Sequence, residues 1–173
     1  MNNYREPVKV LADIIGREMN IDPARVVIYN EKYNIPADDG MWIMLALVAP
    51  ESIGVSNTID ADGNELQIAN IAQMIQIDIM SANADARIRH FEVLLALSSI
   101  YAQKQSEIYN LKIARLPTSM TDASSEENSK ILNRYTFTVV VNHSVVKVKP
   151  IQDSFNALQG AAITVDVFPG KTI

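Results

Sequence analysis

Ile53-Gly-Val-Ser-Asn-Thr-Ile59, Asp60-Ala-Asp-Gly-Asn-Glu65 and the run from Leu66 to Met80 decide the fold. Asp62-Gly63 is a two-residue hairpin signal, because both positions tolerate positive φ. Centred there, the pairing predicts Ile59 opposite Leu66 and Thr58 opposite Gln67. In the last part of the returning strand Ile75, Ile77 and Ile79 alternate with Gln76 and Asp78, which predicts one core face and one wetter face. Upstream, Met41-Trp-Ile-Met-Leu-Ala-Leu-Val-Ala49 is too short for a typical helix and is followed by Pro50. It reads as a buried strand, apolar on both faces, with lone Trp42 in the core.

Working outward, Val8, Leu11, Ala12, Ile15 and Met19 recur at helical spacing, with Pro7 in the first turn and Asn20 and Pro23 closing the segment. Val26 to Tyr29 is a short strand candidate, and Ile35-Pro-Ala-Asp-Asp-Gly40 a turn. Ser81-Ala-Asn-Ala-Asp-Ala86 opens a main helix running to about Tyr109, with Asn83 as its N-cap and Asp85 at the positive end of its dipole. Its expected buried stripe is Ile88, Phe91, Leu94, Leu95, Ile100 and Tyr101. Leu111 to Leu116 is a strand, Thr118 to Ser129 an exposed polar loop, and Leu132 to Val148 a second long strand, with Tyr135, Phe137, Val139 and Val141 on one face and a bend at Asn142-His143-Ser144. The order predicts an α+β fold: a mixed, mostly antiparallel sheet with one long and one shorter helix on one face, a long β-hairpin and a C-terminal arm. One domain over 1–150 followed by an arm over 151–173 is the expected division.

At 173 residues with 48 % apolar content the chain is long and apolar enough to bury a core, and too apolar for disorder. The longest apolar run is too short to span a bilayer, so no membrane segment is expected. The first eight residues lack the apolar centre of a signal peptide, and the chain has no cysteine, so a cytosolic origin is expected. Between Lys32 and Arg87 there is no Lys or Arg, while Asp38, Asp39, Glu51, Asp60, Asp62, Glu65, Asp78 and Asp85 fall in that stretch. The chain therefore has no basic footprint for gripping nucleic acid. The stretch is either a solvated acidic face or a surface that repels phosphate or meets a basic partner.

Catalytic signals are sparse. His90 and His143 stand alone, and neither neighbours a nucleophile elbow or a metal-ligand repeat. Asp60-Ala-Asp-Gly-Asn-Glu65 fails as a calcium loop, because its Gly is fourth and its twelfth residue is Ile71. The six glycines are scattered, so no phosphate-binding loop is built. No catalytic residue, cofactor or metal site is expected.

Six short motifs follow one another along the chain: Pro36-Ala-Asp-Asp-Gly-Met-Trp42, Gln76-Ile-Asp-Ile-Met-Ser81, Asp85-Ala-Arg-Ile-Arg89, Glu92-Val-Leu-Leu-Ala-Leu97, Lys112-Ile-Ala-Arg-Leu-Pro-Thr-Ser119 and Leu132-Asn-Arg-Tyr-Thr-Phe137. In this order they resemble the neck, or tail-terminator, proteins of tailed bacteriophages. The resemblance spans Tyr29 to about Lys149, and the tail after Pro150 has no counterpart in it. It implies a structural virion protein without enzymatic activity: a six-membered ring that caps the tail tube, halts its polymerisation and joins the tail to the head-side connector. Its implied partners are copies of itself, tail tube and sheath or connector proteins, with DNA only as passing cargo and no membrane. Its implied place is the neck of the virion, after synthesis in the host cytoplasm. Another virion adaptor (head-completion or tail-tube), or a cellular ligand-binding domain or enzyme, is the alternative.

Within that reading the loop acids Asp60, Asp62, Glu65, Glu126 and Glu127 are candidates for the channel or its rim, because turn tips project. Phe155, Leu158, Ile163, Val165, Val167 and Phe168 are candidates for a subunit interface, because so many large apolar groups are unfavourable in water. The all-apolar strand Met41 to Ala49 fits either burial within one subunit or cover by a neighbour.

Overall fold

The computed structural model describes residues 4–31, 37–127 and 130–150. Helix α1 (Pro7–Glu18) leads through a single 3-10 turn to strand β1 (Val26–Ile28), then β2 (Trp42–Ile59) and β3 (Asn64–Ser81). Three short helices follow, α2 (Asp85–Arg89), α3 (Glu92–Leu97) and α4 (Ile100–Ile108). The chain ends its described part in β4 (Leu111–Ile113), β5 (Thr121–Asp122), β6 (Ser125–Glu127) and β7 (Lys130–Pro150). The sheet order is β1-β2-β3-β7-β4, with β5 and β6 also paired to β7. β1 runs parallel to β2, and β4, β5 and β6 run antiparallel to β7. This is the α+β fold with a mixed, mostly antiparallel sheet and a long β2–β3 hairpin that the sequence predicts. The expected arm, 151–173, lies outside the described residues.

The described residues fall into two units. The larger comprises residues 4–55 and 69–145, apart from the undescribed ones, and holds the core. The smaller comprises 56–68, the outer hairpin, with 146–150.

One apolar cluster organises the larger unit. α1 contributes Val8, Val10, Leu11, Ile14 and Ile15; β2 contributes Ile43 and Leu45; β3 contributes Ile75, Ile77 and Ile79; β7 contributes Phe137, Val139 and Val141. Pro7 starts α1, where a missing N–H is harmless, and Asn20 at φ 51° turns the chain out of it. The period-2 alternation is realised in β7, which runs through Asn142–Ser144 as continuous strand rather than bending out of it; in β3 Ile75, Ile77 and Ile79 are buried as expected, but Asp78 and Met80 on the face expected to be wetter are buried too. β4 keeps only the first half of the expected strand 111–116.

The expected single helix 83–109 is broken twice. Ser98 Oγ donates to the carbonyls of Leu94 and Leu95, at 2.9 and 3.1 Å, and Ser99 Oγ caps the next helix by accepting from Ala102 N–H at 3.0 Å. These local bonds compete with the helix ladder and restart it. At the first break His90 Nδ1 lies 3.1 Å from the Ala86 carbonyl oxygen, and its ring stacks on Tyr135 at 4.2 Å between centroids. Asn83 does not form the cap residue proper, but its Oδ1 accepts from Asp85 N–H at 2.8 Å.

The expected buried stripe holds only at Leu94 and Tyr101, which are half-buried against the core. Ala86, Val93, Ala96, Leu97 and Ala102 face the core, whereas Ile88, Phe91, Leu95 and Ile100 are exposed. The small residues let α3 and α4 approach α1 closely, and close packing outweighs the greater hydrophobicity of the larger side chains. These helices are thus apolar on two sides.

Strand β2 departs from expectation in three ways. It continues through Pro50 to Ile59. β1 pairs with it only over Ile43 to Leu45, so Pro50 lies where one side of β2 has no strand partner among the described residues, the setting that tolerates proline. It is also not buried on both faces: Ile43 and Leu45 are buried, Trp42 and Met44 are half-buried, and Leu47 and Val48 are exposed. Finally, the hairpin loop has three residues rather than two. Asp60 N–H donates to the Asn64 carbonyl at 2.9 Å and Gly63 N–H to the Asp60 carbonyl at 3.2 Å, with Gly63 at φ 80°. A type I turn followed by a left-handed glycine gives this pattern. It moves Ile59 opposite Glu65 instead of Leu66. The polar loop 118–129 is likewise more ordered than expected, since it supplies β5 and β6.

Candidate functional site

The surface features that stand out are apolar. Along β2 the residues Leu47, Ile53 and Val55 share strand parity with the core residues Ile43 and Leu45. The core face of the strand therefore stays mostly apolar after the core has ended, with the exposed Glu51 as its one charged residue up to Val55. Ile53 is 63 % exposed and Val55 73 %, and Met74 on β3 is also exposed.

A second apolar surface lies on the outward side of α2 and α3. Ile88, Phe91 and Leu95 are spaced by three and four residues across a nearly continuous helical path, because Leu95 N–H donates to the Phe91 carbonyl and Ile88 N–H to the Ala84 carbonyl. Ile88 is 72 % exposed and Leu95 69 %, and Ile100 at the start of α4 is exposed too. The sequence reading placed these same residues in the core. The signal that distinguishes the two faces is the Ala86/Val93/Ala96/Leu97/Ala102 set, a row of mostly small residues at helical spacing.

The acids of the cation-free stretch hold several different positions. Asp78, 1 % exposed, accepts from Arg134 Nε at 3.1 Å and Nη2 at 3.0 Å, and from Gln76 Nε2 at 2.9 Å. It ties β3 to β7 on the face that the sequence reading took as wetter. Asp38 pairs with Arg25 and accepts from Gly40 N–H, and these contacts hold its carboxyl below the usual range. Asp60, Asp62 and Glu65 come together at the hairpin turn. Asp60 is the turn's own clasp: it accepts from Asn64 N–H at 2.8 Å, from Asn64 Nδ2 and from Asp62 N–H at 3.0 Å, and the Asn64 bonds above all lower its pKa. Asp62 is exposed, and Glu65 is half-buried and accepts from Gln67 Nε2 at 3.1 Å. Glu126 and Glu127 belong to β6, in the other unit, paired with residues 131 and 130. Phe155, Leu158, Ile163, Val165, Val167 and Phe168 lie outside the described residues.

His143 is buried in β7 opposite Leu111, and neither ring nitrogen has a hydrogen-bond partner among the described residues. Burial lowers its pKa from the ordinary value. Its neighbours around a shallow hollow include Ile53, Asn70, Ile71, Lys112 and Ser144, a lining without a carboxylate, and the Ser144 hydroxyl donates to Asn70 Oδ1 at 2.7 Å rather than to the imidazole. Among the described residues no group of three or more His, Asp and Glu is placed to hold a metal ion, and no helix is long and apolar enough to cross a membrane. What the geometry offers is surface for other proteins to cover.

No curated protein matches the chain. A family model does, the one described as phage neck terminator protein, and it matches residues 8–167. That match takes in α1 and continues past Pro150, so most of the tail that lacks a counterpart in the motif resemblance belongs to the family pattern. With 160 residues inside the matched span, the chain is a member of the phage neck terminator family, whose members are structural proteins of the virion.

Proposed function

We propose that six copies of the chain close into a ring on the end of the tail tube, stop its polymerisation and present a surface to the head-side connector. One observation carries the assembly: the core face of β2 continues through Leu47, Ile53 and Val55, broken only by Glu51, and these three apolar side chains are exposed among the described residues. Apolar surface left in water costs about 25 cal/mol per Å² relative to burial. Large apolar residues grouped on one exposed face and edged by polar groups mark a protein–protein contact. The number six and the place at the tube end rest on the family resemblance.

In this reading the work is mechanical and needs no catalysis, cofactor or metal. DNA passes through the ring without being held. Asp62 and Glu65, with Glu126 and Glu127, supply negative charge toward the channel or its rim, which phosphate does not adhere to. Asp60 contributes charge there while holding the turn. The arm 151–173, through Phe155, Leu158, Ile163, Val165, Val167 and Phe168, packs on an adjacent subunit. Native mass spectrometry with negative-stain imaging, on the protein alone and added to tail tubes, tests the ring. A closed particle of six 19.2 kDa chains is the expected result. A monomer in both settings overturns it.

A further inference from the structure

We infer that the ring interface is formed by the apolar hairpin strip of one subunit seated on the outward α2–α3 face of the next. This inference rests on the ring reading above and specifies its contact. The two surfaces are different, so their contact is heterologous, the kind that generates a ring when its rotation closes. Both are strips of large apolar side chains: Leu47, Ile53 and Val55 on β2, and Ile88, Phe91 and Leu95 on the helices. A helix that is apolar on a second side needs a second partner, and α1 with the sheet already occupies the first.

Charge selects the hairpin as the occupant. From Trp42 to Ser81 the hairpin has no Lys or Arg, and Glu51 shares strand parity with the strip and stands between Leu47 and Ile53. On the helix face Arg87 stands next to Ile88 and Glu92 next to Phe91, the latter paired with Arg89; Lys104 stands on α4, one turn beyond Ile100. Arg87 and Lys104 are exposed, and neither has an ion pair among the described residues; Glu51 is likewise unpaired there. A second helix face docked on the first would offer Arg87 only Glu92, which Arg89 already holds. A second hairpin on the first would bring acid against acid. The crossed arrangement sets the unpaired Glu51 against the unpaired Arg87, and complementary charge of this kind fixes which surfaces meet.

The chain has no cysteine, so single cysteines report the contact cleanly. V55C and L95C proteins, one of them isotope-labelled, are mixed under assembling conditions and oxidised; I53C and F91C provide the neighbouring register. Mixed hairpin–helix disulfides, several-fold above either like-with-like product, are expected in at least one register, since a disulfide needs Cα atoms about 4.4–6.8 Å apart. Val55→Asp and Leu95→Asp, both at exposed positions, should each keep the thermal midpoint and lose the ring. Mixing the two should give dimers and no rings, because one intact hairpin still meets one intact helix face. Rings that persist in both variants overturn the inference and leave the ring reading standing, as do like-with-like disulfides alone. Intact L95D rings that no longer join the head-side neck overturn it by assigning the helix face to another neck protein. Wild-type protein that never forms rings overturns both readings.

Discussion

Replacing Arg134 by Met isolates the buried charge that links β3 to β7. Asp78 is 1 % exposed and relies on two guanidinium bonds plus one from Gln76. Removing the cation leaves a carboxylate inside the sheet with only the Gln76 amide. Breaking a buried pair in this way costs about 3–5 kcal/mol. The Arg134 side chain is 37 % exposed, so water reaches the pair from its side and moderates the loss. We therefore expect about 2–3 kcal/mol for Arg134→Met. For a chain of this length that is a fall in thermal midpoint of about 5–10 °C. Asp78→Asn should cost less, about 1 kcal/mol, because the stranded group is then a guanidinium that water already reaches. The double variant should be clearly less destabilised than the sum of the singles, since each single loss contains the same interaction. Urea denaturation at low protein concentration, where assembly adds no stability, measures all three. A loss below about 0.5 kcal/mol for Arg134→Met would refute the reasoning, since that is the scale of an ordinary surface change.

Three other outcomes are expected. Burial depresses the pKa of His143 below the ordinary 6.5, so the unfolded chain binds the proton more readily; stability is complete above that value and falls as pH drops from it toward the lower folded value. His143→Leu should flatten this part of a stability–pH curve, and an unchanged slope contradicts the assignment. Asp62→Lys with Glu65→Lys should slow or truncate genome ejection from well-assembled virions, with Asp60 left in place because its carboxylate clasps the turn; normal ejection would return these acids to the role of solvated turn residues. Truncation after Pro150 should weaken ring assembly more than it lowers the midpoint of the remaining fold, as measured by native mass and thermal melting together; normal assembly, or failure to fold, would contradict the role given to the arm.

The sequence exposes what is periodic and local. Ile75, Ile77 and Ile79 alternate cleanly, and β3 follows; Tyr135 to Val141 does the same for β7. Asp62-Gly63 marks the hairpin, although Asp60 clasping Asn64 selects a three-residue loop and shifts the register by one. The helices are harder to read because both of their faces are apolar. Hydrophobicity favours Ile88, Phe91 and Leu95 for the core, while close approach to α1 favours Ala86, Ala96 and Ala102. Packing is a tertiary property, and a single strand of text does not contain the partner. The same holds for Asp78, whose burial makes sense only once Arg134, 56 residues away, is placed beside it. The outward helix face is therefore only half legible in the sequence: Ile88, Phe91 and Leu95 stand out as one apolar face, but their spacing points them to the core, and the structure exposes them.

The central claim is that the chain caps the tail tube and stops its growth. Tail length in a phage lysate lacking this chain, read by electron microscopy beside the same lysate supplied with purified protein, tests it most directly. The account predicts uncapped tubes of widely varying, mostly excessive length without the protein, and one uniform length with a ring at the head-proximal end when it is restored. Tubes of uniform normal length in its absence would contradict the account.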